Sequence, residues 1–398
     1  MTSSCMPELR TETMTVNMGP QHPSTHGVLR IVLELDGETI VSSSPTIGYL
    51  HTGIEKTAEQ KKWQQVIPLV ERMDYLSAQS NSYAFCLSVE QLLGLEIPER
   101  VRWIRVLLVE LQRINSHLVW LGTHALEVGA VSVMLYCFRE REILLNINEL
   151  IAGFRMFPSY IRVGGLREDL PRGFHEAVQQ FLDRLPGKLD EYEGLLTKNQ
   201  IFLKRTRGVG VISKRDAIAY SLSGPIGRAA GWSYDVRKVF PYGGYETFEF
   251  NVPTGTKGDV YDRYLVRMEE MRQSLSICRQ ALERVTPTGD WAVKNPRITP
   301  PPKDKVYTEM EGLIQHFLIY SQGFTTPAGN AYVPVEGPRG EQGFYVVSDG
   351  TNRPWRVKAR SPSLLACQAL GHMIKGGMIA DLIAVIGSID VVMGDVDR

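Results

Sequence analysis

The chain opens with alternating apolar and polar positions, the pattern of half-buried β-strands. Over residues 29–35 four aliphatic side chains recur at every second position and therefore share one face. The Asp36-Gly37 dipeptide that follows predicts a tight hairpin turn, with the partner strand over 38–43. A shorter alternating run covers 14–18. The segment between the runs, 19–27, holds two prolines and two glycines, so it predicts a loop.

From about residue 55 the apolar positions recur at helical spacing instead. Pro98 is a favourable start for a helix, and the apolar stripe from Ile104 to Leu118 follows it. A second helix is predicted over 133–154, and a third over 175–196 that Pro186 divides in two. The remaining prediction comprises an irregular stretch at 205–257, helices at about 259–285, 307–321 and 363–374, a linker at 296–302, a hairpin joining 344–348 to 355–360, and an apolar run at 379–386.

These elements predict a mostly helical α+β fold with two small β regions. We divide the chain into an N-terminal β region with a histidine-bearing loop, 1–55, a helical bundle core, 56–300, and a C-terminal α+β region, 301–398. Apolar residues make up 43% of the 398 positions, which is enough to build a buried core and excludes a disordered chain.

Charge and cysteine content then exclude several classes of protein. The 44 basic and 44 acidic residues balance, whereas a general nucleic-acid binder has a basic surplus. The five cysteines stand apart and form no C-x-x-C pair, which argues against a zinc ribbon or a resident iron–sulfur cluster. Their odd number and the absence of a secretory signal predict a reducing, cytosolic compartment. No apolar run is long enough to cross a membrane, so we expect a protein that is soluble or lies on a membrane surface.

Two histidines in the proline-rich loop are the first candidates for chemistry. His22 and His26 are four residues apart, but Pro23 disfavours the helix that would align them as metal ligands. A loop imidazole in a cleft can donate a proton near neutral pH. A turn histidine held by backbone hydrogen bonds is an equally open interpretation of His26.

Two polar clusters lie in the predicted helices. In the first, Arg72 and Tyr75 would share a helix face, where the phenol could donate a proton to a carbonyl oxygen; a solvated face is the alternative. In the second, Glu110, Arg113 and His117 form either a buried polar row or an exposed helix flank. No phosphate-binding glycine motif follows a strand, so the chain shows no nucleotide site of its own.

Eight segments, in order, resemble one family over essentially the whole chain. The family is the hydrogenase-like large subunit of the peripheral arm of bacterial NADH:quinone oxidoreductase, respiratory complex I, known as its D-type subunit. The segments are GPQHPSTHG at 19–27, GYLHTGIEK at 48–56, RMDY at 72–75, YIRVGGLREDLP at 160–171, the stretch 228–237, EGPRGE at 336–341, VSDG at 347–350 and MGDVDR at 393–398.

That family in turn resembles the large subunit of nickel–iron hydrogenases, which implies a hydrogenase-like fold with an N-terminal β region and a long-helix bundle. Hydrogenases hold their metal with R-x-C-G-x-C and D-P-C-x-x-C motifs. The corresponding segments here are 72–77 and 390–395, and none of the four cysteines is present. Nickel and iron need soft thiolates at such a site, so no metal centre is expected. The former ligand positions are Asp74, Ser77, Val392 and Asp395.

The resemblance implies that the former metal cavity, closed by the C-terminal region, takes a quinone headgroup. His26 and Tyr75 would be the catalytic hydrogen-bond partners of the two quinone carbonyls. Glu127, Arg72, Asp74 and His22 would support the site. Glu127 stands where the family usually has an Asp paired with the loop histidine, and Val391 stands where the family usually has Pro.

The resemblance also implies partners and a location within a proton-pumping complex. The chain would bind no cofactor alone; a neighbouring subunit would hold the adjacent [4Fe–4S] cluster, and NADH would be used elsewhere in the complex. Other peripheral-arm subunits, including a C-type one, and the quinone-channel subunit of the membrane arm would contact it, on the cytoplasmic side of the bacterial plasma membrane. A structural scaffold without catalysis is the alternative function, and a metal-dependent hydrogenase is nearly excluded by the missing cysteines.

Overall fold

Ten strands form four antiparallel sheets in the part of the chain that this computed structural model describes, residues 12–398, with the backbone alone at 21 and 22. The sheet orders are β1-β4-β5, β10-β9-β8, β2-β3 and β6-β7. The strands are β1 Met14–Met18, β2 Gln21–His22, β3 Gly27–Val28, β4 Arg30–Asp36, β5 Thr39–Thr46, β6 Ile161–Arg162, β7 Gly165–Leu166, β8 Gly329–Gly337, β9 Gly340–Ser348 and β10 Arg356–Arg360.

Helices make up most of the described residues, as the sequence predicts. Three of them, α4, α5 and α11, pack together and form the centre of the molecule. The helices are α1 Ile54–Glu59, α2 Trp63–Glu71, α3 Ala78–Leu93, α4 Glu99–Glu127, α5 Val131–Ala152, α6 Phe174–Leu196, α7 Gln200–Thr206, α8 Lys214–Ala219, α9 Gly224–Ala229, α10 Val236–Val239, α11 Val260–Arg284, α12 Lys303–Thr308, α13 Met310–Ser321, α14 Pro362–Ile374, α15 Ile379–Ile389 and α16 Met393–Asp397.

The N-terminal hairpin confirms the alternating pattern. β4 pairs with β5 from Asp36↔Thr39 onward, and β1 covers the other edge of β4. Ile31, Leu33 and Leu35 are buried on one face, in a cluster with apolar residues of α14 and α15. The hairpin thereby fixes the position of the loop that precedes β4.

α4 begins directly after Pro98, as predicted, and is the structural axis of the larger core. Neighbouring elements surround it so completely that its polar side chains are buried with its apolar ones. This explains why its sequence does not show one clean polar face: no face of most of this helix meets water.

Four sequence-based expectations are wrong in detail. α6 runs unbroken through Pro186, because the buried side chains on either side, such as Leu185 and Leu189, hold the helix despite one lost backbone hydrogen bond. The helix expected at 307–321 is two helices, α12 and α13, that meet at Glu309. The stretch 205–257 contains the short helices α8, α9 and α10, and the strand β8 is absent from the sequence prediction.

Two large hydrophobic cores organise the molecule. The first joins the central helices to β8, β9 and β10. The second joins the N-terminal sheet to α14, α15 and the C-terminal residues, and Asp390 comes between two of its buried members, Ile389 and Val391. Both cores use residues from more than one of the regions 1–55, 56–300 and 301–398, so that division stays a prediction. A third, small cluster lies around Tyr75.

Candidate functional site

The proline-rich loop places His26 against the end of a buried helix. A single 3-10 turn, Pro23–Thr25, lies between β2 and β3 and contacts α4 and α15. His26 follows this turn in the left-handed conformation, with φ of 42°. Its side chain is 7% exposed, and its Nε2 lies 3.3 Å from Oδ1 of Asp390, the residue that ends α15.

Buried arginines fix the turn that carries Asp390. Arg267 and Arg263 reach across from α11: Arg267 Nη1 donates to the Ser388 carbonyl at 2.7 Å, and Arg263 Nε donates to Ser388 Oγ at 2.9 Å. Arg339 Nε donates to the Asp390 carbonyl at 2.8 Å. Asp390 itself has φ of 53°, so the backbone alone does not favour this geometry, and the arginines supply the missing support.

Arg339 also joins segment 72–77 to segment 390–395. Its guanidinium contacts Asp390 Oδ1 at 3.2 Å through Nη2, and both oxygens of Asp74 at 2.8 and 3.1 Å through Nη1. All three side chains are at most 4% exposed. The result is a buried row of alternating charge, Asp74–Arg339–Asp390–His26, which we call the site row.

The two carboxyls of the site row differ in proton affinity. Burial raises the pKa of Asp74 to about 6, although Arg339 opposes this shift. Burial acts in the same direction on Asp390, but there Arg339, His26 and Arg267 outweigh it and lower the pKa to about 2. Near neutral pH, Asp390 is therefore the firmly ionised partner of His26, and Asp74 is the carboxyl nearest to taking up a proton.

The raised pKa of Asp74 predicts how the stability of the folded chain depends on pH. Between the unperturbed value of 3.8 and about 6, the folded state binds more protons at Asp74 than the unfolded state does. Stability therefore falls as pH rises through this window, by about 3 kcal/mol from this group. Denaturant titrations at pH 4–7 should show a steeper fall for the natural chain than for Asp74→Asn; parallel curves would contradict the assignment.

The helix face expected to carry Arg72 and Tyr75 is wrong, because residues 72–77 form the connection between α2 and α3. Tyr75 follows Asp74 in this connection and therefore lies beside the site row. It packs with Leu76, Val119 and Val392, and burial raises its pKa to about 12. A Cβ on Gly394 would lie 3.2 Å from Tyr75 Cε1, so the C-terminal segment passes directly over the tyrosine. Among the side chains that the structure describes, none hydrogen-bonds the Tyr75 hydroxyl.

The four positions that the hydrogenase resemblance marks as former metal ligands are all buried, and each has a different environment. Asp74 pairs with Arg339, whereas Ser77 precedes α3 and donates to Ser80 Oγ at 2.7 Å. Val392 is part of the apolar packing on Tyr75. Asp395 accepts from Ser361 Oγ at 2.5 Å, and burial raises its pKa.

The other predicted site residues lie outside the site row. Arg72 is exposed; it donates to the Pro68 carbonyl at 2.6 Å and stacks on the ring of Phe157 at 4.8 Å. Glu127, the last residue of α4, packs with its carboxylate against the backbone of Gly387. Its pairing with His26 stays a prediction. The side chain of His22 lies outside the described part of the structure.

The sequence reasoning missed Arg339 and the role of Asp390. In the sequence, Arg339 is one position of the EGPRGE segment, and Asp390 is the first position of segment 390–395, which the hydrogenase resemblance marks. The sequence offered one indication of their importance: Arg339 and Asp390 both lie in segments that carry the family resemblance. The partners of Arg339 are 51 and 265 positions away, so no local spacing could pair them.

A second buried polar network lies along α4. Glu110, Arg113 and His117 are fully buried, which decides between the two interpretations of that helix row. Glu110 accepts from Arg113, from Tyr245 Oη at 2.7 Å and from Ser274 Oγ at 2.7 Å. The network continues through Arg237, Asp235, Arg228, Glu336 and Glu270, where His117 Nε2 lies 3.0 Å from Glu270 Oε2.

The chain is similar to known proteins over nearly its whole length. Residues 127–398 match the family model described as "Respiratory-chain NADH dehydrogenase, 49 Kd subunit". The chain is 57% identical over 391 residues to a D-type subunit of the NADH-quinone oxidoreductase of Chloroflexus aurantiacus, covering 98% of this chain and 95% of that protein. The chain belongs to the 49-kDa subunit family of NADH-quinone oxidoreductase. The D-type subunit of Geotalea uraniireducens is 54% identical over 98% of this chain and 99% of its own length.

Membership of the 49-kDa family makes the chain one subunit of a multisubunit oxidoreductase. The predicted family is confirmed, and other subunits of the complex are its partners. Among the described residues, no helix has both the length and the apolar character needed to cross a bilayer.

Proposed function

We propose that His26 and Tyr75 bind a quinone headgroup and supply its protons on reduction. Conversion of a quinone to a quinol adds two electrons and two protons, one proton to each carbonyl oxygen. Donors on opposite sides of the ring stabilise the negative charge that develops on these oxygens. His26 would donate at one oxygen and Tyr75 at the other.

The observation that carries this proposal is the site row beside Tyr75. His26 Nε2 lies 3.3 Å from Oδ1 of the ionised Asp390, so the imidazole faces a fixed negative charge. Tyr75 has a raised pKa and a hydroxyl with no protein partner in the described residues, so it keeps its proton until an acceptor becomes strongly basic. Two side chains that can donate a proton therefore contact one short segment, 390–394.

The electrons would come from a [4Fe–4S] cluster in a neighbouring subunit. The exposed Arg72 would lie toward that neighbour, and its fixed positive charge would favour the reduced cluster. We further propose the hydrogenase-like fold, contacts with the membrane-arm quinone channel, and a place on the cytoplasmic side of the bacterial plasma membrane. The relatives' name, NADH-quinone oxidoreductase, supports this proposal.

Replacing the two donors tests the function. In the assembled complex, we expect His26→Ala and Tyr75→Phe each to lower the rate of quinone reduction by about 100-fold, the usual scale for loss of a positioned acid. Electron transfer from NADH to an artificial acceptor should be unchanged. Tyr345→Phe and His372→Ala are matched controls, because both residues are exposed and belong to other elements.

Normal quinone turnover and affinity in both variants would refute the proposed site. A quinone photolabel that reacts elsewhere in the complex would instead favour the scaffold function, in which this chain only positions its neighbours.

A further inference from the structure

The turn that joins β8 to β9 is buried, although connecting turns usually lie at the protein surface. Residues 335–340 are all buried, and Pro338 and Arg339 form the two-residue connection between the strands. A buried turn must find partners inside the protein for its backbone N–H and C=O groups. These partners therefore decide where the side chain of Arg339 begins. We call residues 336–341 the β8–β9 turn.

Helix α4 holds the first half of the β8–β9 turn. Arg113 Nη2 donates to the Glu336 carbonyl at 2.6 Å, and Arg113 Nη1 donates to the Gly337 carbonyl at 2.9 Å. Arg113 Nε donates to Glu110 at 3.1 Å, so the guanidinium is itself held by its own helix. The planar fork of a guanidinium suits two neighbouring acceptors, and here it fixes two successive carbonyls.

The side chain of Glu336 attaches the same half of the turn a second time. Its Oε1 accepts a hydrogen bond from Arg228 Nη1 at 2.7 Å, and its Oε2 accepts one from the amide of Val236 at 3.1 Å. These partners belong to α9 and α10. The β8 end of the turn is therefore fixed through both its backbone and its side chain.

The start of α9 holds the second half of the β8–β9 turn. The Glu341 amide donates to Ser223 Oγ at 2.9 Å. Gly224 lies so close to the turn that a Cβ on it would be 2.4 Å from Gly340 Cα and 2.6 Å from the Arg339 carbonyl oxygen. Gly224 also has φ of 68°, in the left-handed region that favours glycine. A larger residue at this position would have to displace the turn.

These attachments act on the residue that joins the site row. The guanidinium of Arg339 contacts the carboxylates of Asp74 and Asp390 and the Asp390 carbonyl, all through the end of a long side chain. Where that end lies depends on where the backbone of the turn lies. A displacement of the turn would therefore weaken all of these contacts together.

We propose that Arg113 and Gly224 are positioning residues for the quinone site. By fixing the β8–β9 turn, they direct Arg339 to both carboxylates of the site row. Asp390 then keeps its place opposite His26. The effect on quinone reduction rests on the proposed function, whereas the placement of Arg339 can be measured in the full-length chain alone.

Gly224→Ala tests the proposal, because its methyl group would push the turn without removing a charge. Arg339 lowers the pKa of Asp74, whereas burial and the charges of Asp390 and Asp395 raise it, to about 6 in all. Withdrawal of the guanidinium should therefore raise this pKa further, by about one unit or more. Infrared difference spectroscopy of the full-length chain follows the protonated carboxyl through a pH titration, and Asp74→Asn identifies its band.

Gly94→Ala is the matched control. Gly94 ends α3 with a similar φ of 62°, but a Cβ there would meet no atom within 4 Å. It introduces the same kind of backbone strain without pushing on a neighbour, so the titration of Asp74 should stay unchanged. If Gly224→Ala does not fold, Ser223→Ala is the milder variant. It removes only the acceptor of the Glu341 amide and should raise the pKa of Asp74 in the same direction.

In the assembled complex, Gly224→Ala should lower the rate of quinone reduction by about ten- to 100-fold, because a small misplacement of acting groups is enough for such a loss. Gly94→Ala should leave the rate unchanged. An unshifted Asp74 titration in a folded Gly224→Ala chain would overturn the proposal. Full turnover of Gly224→Ala would do the same if His26→Ala is impaired. Full turnover of both His26→Ala and Tyr75→Phe would instead refute the quinone site itself, with the Asp74 titration of Gly224→Ala still shifted.

Discussion

Replacing Arg339 with methionine is expected to lower the free energy of unfolding by about 3–5 kcal/mol. The guanidinium is the charged partner of both Asp74 and Asp390, and its Nε also holds the backbone of the Asp390 turn. Methionine fills much of the same volume but leaves two carboxylates without their shared cation. Denaturant unfolding of the full-length chain measures the change directly.

Arg356→Met is the matched control for this substitution. Arg356 pairs with Glu59 at 2.8 Å, but its side chain is 47% exposed, so water replaces the lost contact. Arg356→Met should lower the free energy of unfolding by no more than about 1 kcal/mol. If Arg339→Met costs as little as this control, Arg339 does not stabilise the site row. The Arg339 variant should also lose quinone reduction, because His26 would no longer face a fixed Asp390.

Glu110→Gln is the second substitution with a large expected effect, again about 3–5 kcal/mol. Burial would raise the pKa of Glu110, but Arg113 and Arg237 outweigh it and, with hydrogen bonds from Ser274 and Tyr245, lower the pKa to about 2. Glutamine keeps the size but removes the charge, leaving two buried guanidiniums short of one partner. Its amide nitrogen would also face their N–H groups.

The control for Glu110→Gln is Glu142→Gln on the surface. Glu142 pairs with Arg155, and the two side chains are 54% and 43% exposed, so solvent screens this pair and its loss should change the stability very little. Thermal and denaturant unfolding should show a much larger loss of stability for Glu110→Gln than for Glu142→Gln. Equal stabilities would mean that the buried network around Glu110 has no net stabilising charge interaction.

The elements with strong local signals could be predicted from the sequence. The β4–β5 hairpin has an alternating strand and an Asp-Gly turn, and α4 has a proline start and a long apolar stripe. Prediction failed where tertiary packing overrides local preference. Pro186 is tolerated because α6 is held along its buried face, and β8 forms because β9 pairs with it.

The candidate site was predictable in its residues but not in its connections. The resemblance pointed to His26, Tyr75 and the two hydrogenase-type segments, yet it indicated neither the contact of His26 with Asp390 nor a role for Arg339. Buried ion pairs have no sequence period, because their members come from distant elements. For the same reason, helical spacing could not show whether Glu110 faces water or the interior; the surrounding elements decide that.

The contacts of segment 390–397 with the N-terminal region have a consequence for the order of folding. Asp390 faces His26, and Asp397 accepts hydrogen bonds from the amides of Gly48 and Leu50, which are 349 and 347 positions earlier. Contacts between such distant positions carry a large loop-closure entropy and form slowly. The β4–β5 hairpin and the α4–α5 pair can form from contacts between neighbouring parts of the sequence. His26 contacts Asp390 only when the N-terminal region and segment 390–397 have packed together. A fragment that holds only the N-terminal region therefore lacks the carboxylate that His26 faces in the folded chain.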